Sequence, residues 1–257
     1  MTRRRPSSRS ARRAPKPVRR RRAPQDPTAR NTRAGRRPLR AARPPITVVL
    51  FDLDDTLYDC FGQRVLAAHR NASRALAAAG LPASAEEIME LRLAALEADP
   101  RLEFIDTEVC RRLGVGYDDS VRETAQAAYF STPVGRLRLF PGALPLLRYL
   151  KGRGVRNFIV SFGDPDTQRA KVAALGLDRE PAVENIFYAD REQALTKDEV
   201  FRSVLRAVES DPARVLVVGD RPASEIRAGN ELGMHTVLST QSPSCRYSPG
   251  AFTPPTR

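Results

Sequence analysis

Residues 46–53 read ITVVLFDL and run straight into Asp54 and Asp55. An unbroken apolar run closed by carboxylates fits a β-strand covered on both faces, as in the middle of a parallel sheet. Similar short runs recur at 155–162, 186–189, 214–219 and 235–239. Helical segments with legible ends separate the later runs. Gly142 precedes 143–151, and Gly152 and Gly154 follow it; Asp164-Pro165 opens a helix that Gly176 closes. Thr196 and Glu199 form a capping box at the head of 197–208, and Pro222 and Gly233 bracket 223–232. Alternation of this kind predicts a right-handed, doubly wound α/β sheet of Rossmann-like design.

The alternation breaks once. Between residues 60 and 137 no strand pattern stands out, and four helices are predicted instead. They cover 61–79 ending at Gly80, 84–98 opened by Ser84 and Glu87, 103–113 ending at Gly114, and 119–129. An all-helical block placed directly after the first strand implies a separate lid domain. The expected organisation is a core of 46–59 and 138–240, a helical cap over 60–137, and tails over 1–45 and 241–257. The 257 residues are enough for one such core and a small second module. No internal repeat is present.

The net charge of +13 belongs to one tail. Residues 1–45 hold 17 Lys/Arg against Asp26 alone, whereas the remainder carries 26 basic and 29 acidic side chains. The Arg, Ala, Pro and Ser of that tail offer too little apolar surface to offset the entropy of ordering. Three readings of it stand side by side. One is a solvated tail or an upstream start codon. Another is an arm for nucleic acid or an anionic surface over 1–43, which the mildly acidic body does not reinforce. The third is an organelle transit peptide, whose amphipathic helix the prolines would spoil. Cys60, Cys110 and Cys245 are odd in number and lack a CxxC spacing, which argues against a disulfide framework or zinc site and fits a reducing, cytoplasmic setting. No run approaches a membrane span, and no signal-peptide apolar region follows the basic start. Nothing in the pattern specifies an oligomeric state.

The residues that can do chemistry gather at predicted strand ends. Strand alternation puts Asp52 and Asp54 on one side at the carboxyl end of the first strand, where open α/β sheets place ligands. Two carboxylates held that close repel, so either the segment is a solvated acidic loop or the pair needs a cation; oxygen ligands favour Mg2+. The run at 214–219 also ends in acids, Asp220 and, five residues on, Glu225. Two acidic strand ends at one sheet edge make a plausible metal site. Ser161, followed by Phe162 and Gly163, closes the second strand; it could hold a phosphoryl oxygen or serve as a turn residue. Lys197 sits in the first turn of its helix, where the helix dipole disfavours a cation, and such local conflicts mark functional positions.

In order and spacing these residues resemble the haloacid dehalogenase superfamily of hydrolases over roughly residues 46–239. The segment LFDLDDTLYD (50–59) is similar to that superfamily's opening signature. Ser161 falls on its second motif, Lys197 on its third, and Asp220 and Glu225 in GDRPASE on its fourth, acidic motif. The helix LFPGALPLLRYLKGRG before the second motif and the helical insertion after the first resemble the family's helix and its type 1 cap. The resemblance implies a Mg2+-dependent phosphohydrolase acting on a small phosphorylated substrate. Asp52 would be the nucleophile that carries the phosphoryl group, and Asp54 the acid and then the base. Ser161, Phe162-Gly163 and Lys197 would line the phosphate, and Asp52, Asp54, Asp220 and Glu225 would surround the metal.

Three positions depart from the family pattern. Phe162 stands where an Asn is usual, the third motif reads KDEVF without its common proline, and Glu225 replaces an Asp and would reach the metal through water. A phosphomutase could use the same covalent intermediate. Dehalogenation is disfavoured because it needs no acid two residues after the nucleophile. His69, within a predicted cap helix, and His235, at the start of the last strand, are expected to be structural.

Overall fold

The computed structural model describes residues 44–98, 105–190 and 196–241. The expectations for the basic arm over 1–43, for Cys245 and the tail beyond residue 241, and for residues 103–104 of the predicted 103–113 helix lie outside the described residues. Five parallel strands form one sheet in the order β3-β2-β1-β4-β5. They are β1 (Val48–Phe51), β2 (Arg156–Gly163), β3 (Asn185–Asp190), β4 (Val215–Gly219) and β5 (His235–Leu238). β1 is central, with Phe51 in register with Ile159 of β2 and Val218 of β4. The chain adds strands on one side of β1 and then on the other, so its switch point lies at the carboxyl ends of β1 and β4.

Both faces of the sheet are covered, which is why β1 is apolar without alternation. On one face Val48, Leu50, Val160 and Val217 pack with Phe201 and Val204 of α7 (Lys197–Val208). On the other, Val49, Phe51 and Ile159 pack with Leu147 of α5 (Ala143–Gly152) and Val172 of α6 (Pro165–Ala174). β1 is shorter than the 46–53 apolar run. Asp55 takes a left-handed φ of 58°, so the chain turns off the sheet, although Leu53 stays fully buried beneath it. Asp54 therefore reaches the sheet edge through a turn rather than by strand alternation.

The helices predicted after β1 form as α1 (Leu66–Ala78), α2 (Ala85–Ala98), α3 (Ile105–Leu113) and α4 (Asp119–Phe130). Ala72, Leu76, Ile88, Val109 and Ala125 give them a core of their own. Ser84 and Glu87 cap α2 reciprocally, as their spacing predicted. Two predicted helices begin instead with π turns, Phe61–Val65 before α1 and Pro222–Ile226 before α8 (Arg227–Glu231). Entry and exit of the helical insertion are tied together. Tyr58 bridges Leu139 antiparallel, and Gln63 exchanges hydrogen bonds of 2.9 and 2.7 Å with the Arg138 main chain. No helix among the described residues is long and apolar enough to cross a membrane.

Inside the insertion His69 is buried, accepts from Arg92 Nε at Nδ1 (3.3 Å), and meets the Tyr129 ring edge-on at 5.2 Å. Arg92 is ion-paired with Asp106, so His69 has a structural setting. Burial, reinforced by the Arg92 charge, lowers its pKa from 6.5 to about 4. Between those values the unfolded chain holds a proton that the folded chain does not, so stability falls as pH drops through the window. Comparing urea unfolding at pH 7 and pH 5, wild type should lose about 2 kcal/mol more than His69→Gln. Equal losses would show that His69 does not titrate as described.

Candidate active site

Asp52 leaves the sheet at the switch point, its main-chain N–H donating to Val218 O of β4 at 2.9 Å. Asp220 follows directly on β4, and both it and Glu225 are 2% exposed. Gly219 makes this closeness possible, because a Cβ there would stand 2.7 Å from Glu225 Cβ. The sheet thus sets Asp52 and Asp220 at neighbouring strand ends, with Glu225 folded back toward the end of β4. Burial drives the Asp52 carboxyl well above its usual range; Lys197 pulls it back, and Glu225, Asp220 and Asp54 push it further up. A carboxylate in such company stays ionised only with cations beside it.

One cation is Lys197. Its helix is opened by the Thr196–Glu199 capping box, and its Nζ lies 3.4 Å from Asp52 Oδ1 and is ion-paired with Glu225. The same ammonium sits 3.5 Å from the centre of the Phe162 ring. An aromatic face attracts a cation, so Phe162 helps to hold Lys197 between the two carboxylates. Ser161 is 1% exposed, and its Oγ has no hydrogen-bond partner. A buried hydroxyl left unsatisfied is uncommon, and an incoming oxygen would complete it.

Asp54 is held from three directions. Tyr58 OH donates to Oδ1 at 2.8 Å, while Lys171 Nζ at 2.6 Å and Gln168 Nε2 at 3.3 Å approach Oδ2. Burial alone would raise the Asp54 pKa, but the Lys171 charge and the hydrogen bonds from Lys171, Tyr58 and Gln168 outweigh it and hold the carboxyl low. Gln168 also donates to Phe162 O at 2.8 Å. Gly163 leaves room for that bridge: its φ is 142°, and a Cβ would meet Gln168 Nε2 at 2.6 Å. Lys171, Gln168 and Tyr58 were missed in the sequence. The available signal was Gln168 and Lys171 one turn apart on the same α6 face as Val172, a buried cation in phase with a core residue.

Among the described residues no three His, Cys, Asp or Glu side chains are gathered into a metal cage. At the switch point Asp52 and Asp220 instead stand on neighbouring strand ends, with Glu225 behind. Mg2+ keeps several waters and accepts one or two carboxylates, so a sparse set suits it. Glu225 Oε2 is buried without a hydrogen-bond partner, as an oxygen waiting on a metal or its water would be. The residues present fit the ion.

A family model for haloacid dehalogenase-like hydrolases matches residues 46–233, and the chain belongs to that family. A glyceraldehyde 3-phosphate phosphatase of Pyrococcus abyssi is 33% identical over 197 residues, spanning 75% of this chain and 80% of the relative. The enzyme of the same name from Pyrococcus furiosus is 30% identical over 197 residues, with the same shares of 75% and 80%. Among solved structures, YfnB from Bacillus subtilis, crystallised with magnesium, superposes with a TM-score of 0.54 at 19% identity. It covers 76% of this chain and 87% of its own, a likeness of fold.

Replacing Lys171 with Met should lower the unfolding free energy at pH 7 by about 1–3 kcal/mol, because the Asp54 carboxylate then lacks its nearest donor. The Asp54 pKa is depressed when folded, so its contribution exists above the unfolded value of 3.8 and is lost as pH falls through the folded one. The gap between wild type and Lys171→Met should therefore narrow in acid, as read by urea unfolding. A gap that is absent at pH 7 or unchanged in acid would refute the pairing.

Proposed function

We propose that the chain is a Mg2+-dependent phosphohydrolase that removes phosphate from a small phosphorylated metabolite through an aspartyl-phosphate on Asp52. The observation that carries this reading is the juxtaposition of Asp52 with Lys197, the unsatisfied Ser161 hydroxyl and Asp220 at the switch point of the sheet. The glyceraldehyde 3-phosphate phosphatases to which the chain is similar favour a phosphorylated triose or a compound of that size.

Asp52, the Asp54 carbonyl and Asp220 would hold Mg2+, with Glu225 reached through water, and the ion would offset charge on both carboxylate and phosphate. Asp52 attacks phosphorus in line as the bond from phosphorus to the leaving oxygen breaks. Ser161 Oγ donates to a phosphoryl oxygen, with the Phe162-Gly163 turn beside it. Lys197 offsets the charge that gathers on those oxygens. Asp54 gives its proton to the leaving oxygen. It is ionised in the resting protein, and the dianion of an arriving substrate favours its protonated form by like-charge repulsion. In the second half it takes a proton from the attacking water, and the bond from phosphorus to Asp52 breaks to release phosphate. The helical segment over 60–137 serves as a cap on the core of 46–59 and 138–240, excluding bulk water and meeting the leaving group.

The test is phosphate release from a panel of phosphorylated metabolites and p-nitrophenyl phosphate, with and without Mg2+. Activity should need the ion and fall by about 10^3-fold or more in Asp52→Asn. Equal activity in wild type and Asp52→Asn would remove the nucleophile assignment. Halide release from haloacids without Mg2+ would overturn the reaction class.

A further inference from the structure

One cation in the helical insertion has no part in the chemistry above. Arg64 lies in the π turn Phe61–Val65, is 7% exposed, and has no hydrogen bond or ion pair among the described residues. Its Nε is buried without a partner. A guanidinium cannot shed its charge, and this one keeps a buried N–H without a partner, so an anion is the natural complement.

The turn that carries Arg64 is tied to the edge of the candidate site. The turn is anchored to the loop after β1, with the Phe61 N–H donating to Asp55 Oδ1 at 3.1 Å, and to the return strand through the Gln63 pair with Arg138. π turns of this kind recur at functional sites. Two groups register the Arg64 charge. The Tyr129 phenol is pushed up by burial, pulled back by Arg64, and raised again by Cys60 and Asp54, so it lies within the influence of both Arg64 and the catalytic loop. Asp164, the first residue beyond β2, is held low chiefly by its Thr167 hydrogen bonds, with smaller pulls from Arg169 and Arg64. Asp164 is exposed, and its Oδ2 accepts from the Thr167 N–H at 2.8 Å, so it does not neutralise the guanidinium. Arg64 thus lies where the chain passes from the loop of Asp54 and Asp55 into the helical insertion.

We propose that Arg64 is a second recognition point that binds a carboxylate on the leaving group of a short-chain phosphate monoester. The inference rests on the phosphohydrolase reading and narrows its substrate class. A planar guanidinium pairs with a carboxylate through two parallel hydrogen bonds, whereas an aldehyde or alcohol would leave its charge unbalanced. The enzyme should thus prefer a phosphorylated hydroxy acid to the phosphorylated aldehyde in its relatives' name.

A matched pair of substrates decides the matter: glyceraldehyde 3-phosphate, and 3-phosphoglycerate, which carries a carboxylate in place of the aldehyde. Wild type should show a kcat/KM at least about tenfold higher for the acid. Arg64→Met should lower kcat/KM for the acid by about 30-fold or more and leave the aldehyde within about threefold, with Arg64→Lys recovering part of the loss. The thermal midpoint of free Arg64→Met should not fall, since Met keeps an apolar stem in the buried position and no hydrogen bond to Nε is lost. Calorimetry with Asp52→Asn, Mg2+ and each compound reads the same preference as binding. No preference for the acid, or an equal fall on both compounds together with a lower thermal midpoint, would overturn the assignment. Absence of turnover on every phosphate ester would instead sink the phosphohydrolase reading, and the calorimetric preference would still decide the role of Arg64.

Discussion

Four carboxylates, those of Asp52, Asp54, Asp220 and Glu225, are crowded at one edge of a low-dielectric sheet, and much of the surrounding structure serves to keep them there. Like charges so placed repel by several kcal/mol unless cations stand between them. Two lysines supply that balance from different helices: Lys197 at the head of α7 bridges Asp52 and Glu225, and Lys171 on α6 grips Asp54. Both lysines are largely withdrawn from solvent, so their positive charge is poorly screened where it is needed. Asp52 and Asp54 thus have separate cations, and the Asp52 carboxyl is pushed up by burial while that of Asp54 is held low.

Backbone choices make the crowding sterically possible. Gly219 lets Glu225 fold back against the end of β4, and Gly163 lets Gln168 bridge Phe162 O and Asp54. The left-handed Asp55 turns the chain off the sheet so that Tyr58 can reach back to Asp54 and Leu139. The loop that orients the Asp54 carboxylate is therefore also the loop that launches the helical insertion. A change in the pose of that insertion would act on the site through a covalent connection about as short as a chain allows.

Much of the core and several site residues were legible because their physical causes are local. Strands covered on both faces need continuous apolar runs, and β1, β2 and β4 show them. The Thr196–Glu199 capping box marked the head of α7, and the misfit of Lys197 beside a helix N-terminus pointed to its place between Asp52 and Glu225. Other features depend on long-range contacts. Lys171 and Gln168 meet Asp54 across 117 and 114 residues of chain, and their helix carries few apolar residues to flag a buried face. The π turns at Phe61–Val65 and Pro222–Ile226 have the composition of ordinary helix, so only tertiary packing separates them from it. The partnership of Phe162 with Lys197 was equally hidden, since a residue that departs from the family pattern does not name its new neighbour.

The proposed mechanism requires Asp52 to become covalently phosphorylated, and that species can be caught directly. Wild-type protein turning over a hydrolysed phosphate ester with Mg2+ would be quenched in acid within milliseconds, digested, and weighed by mass spectrometry. The peptide containing Asp52 should gain the mass of one phosphoryl group, lose it on treatment with hydroxylamine as an acyl phosphate does, and gain nothing in Asp52→Asn. A catalytically active enzyme whose Asp52 peptide never carries that mass, or carries it equally after Asp52→Asn, would contradict the mechanism.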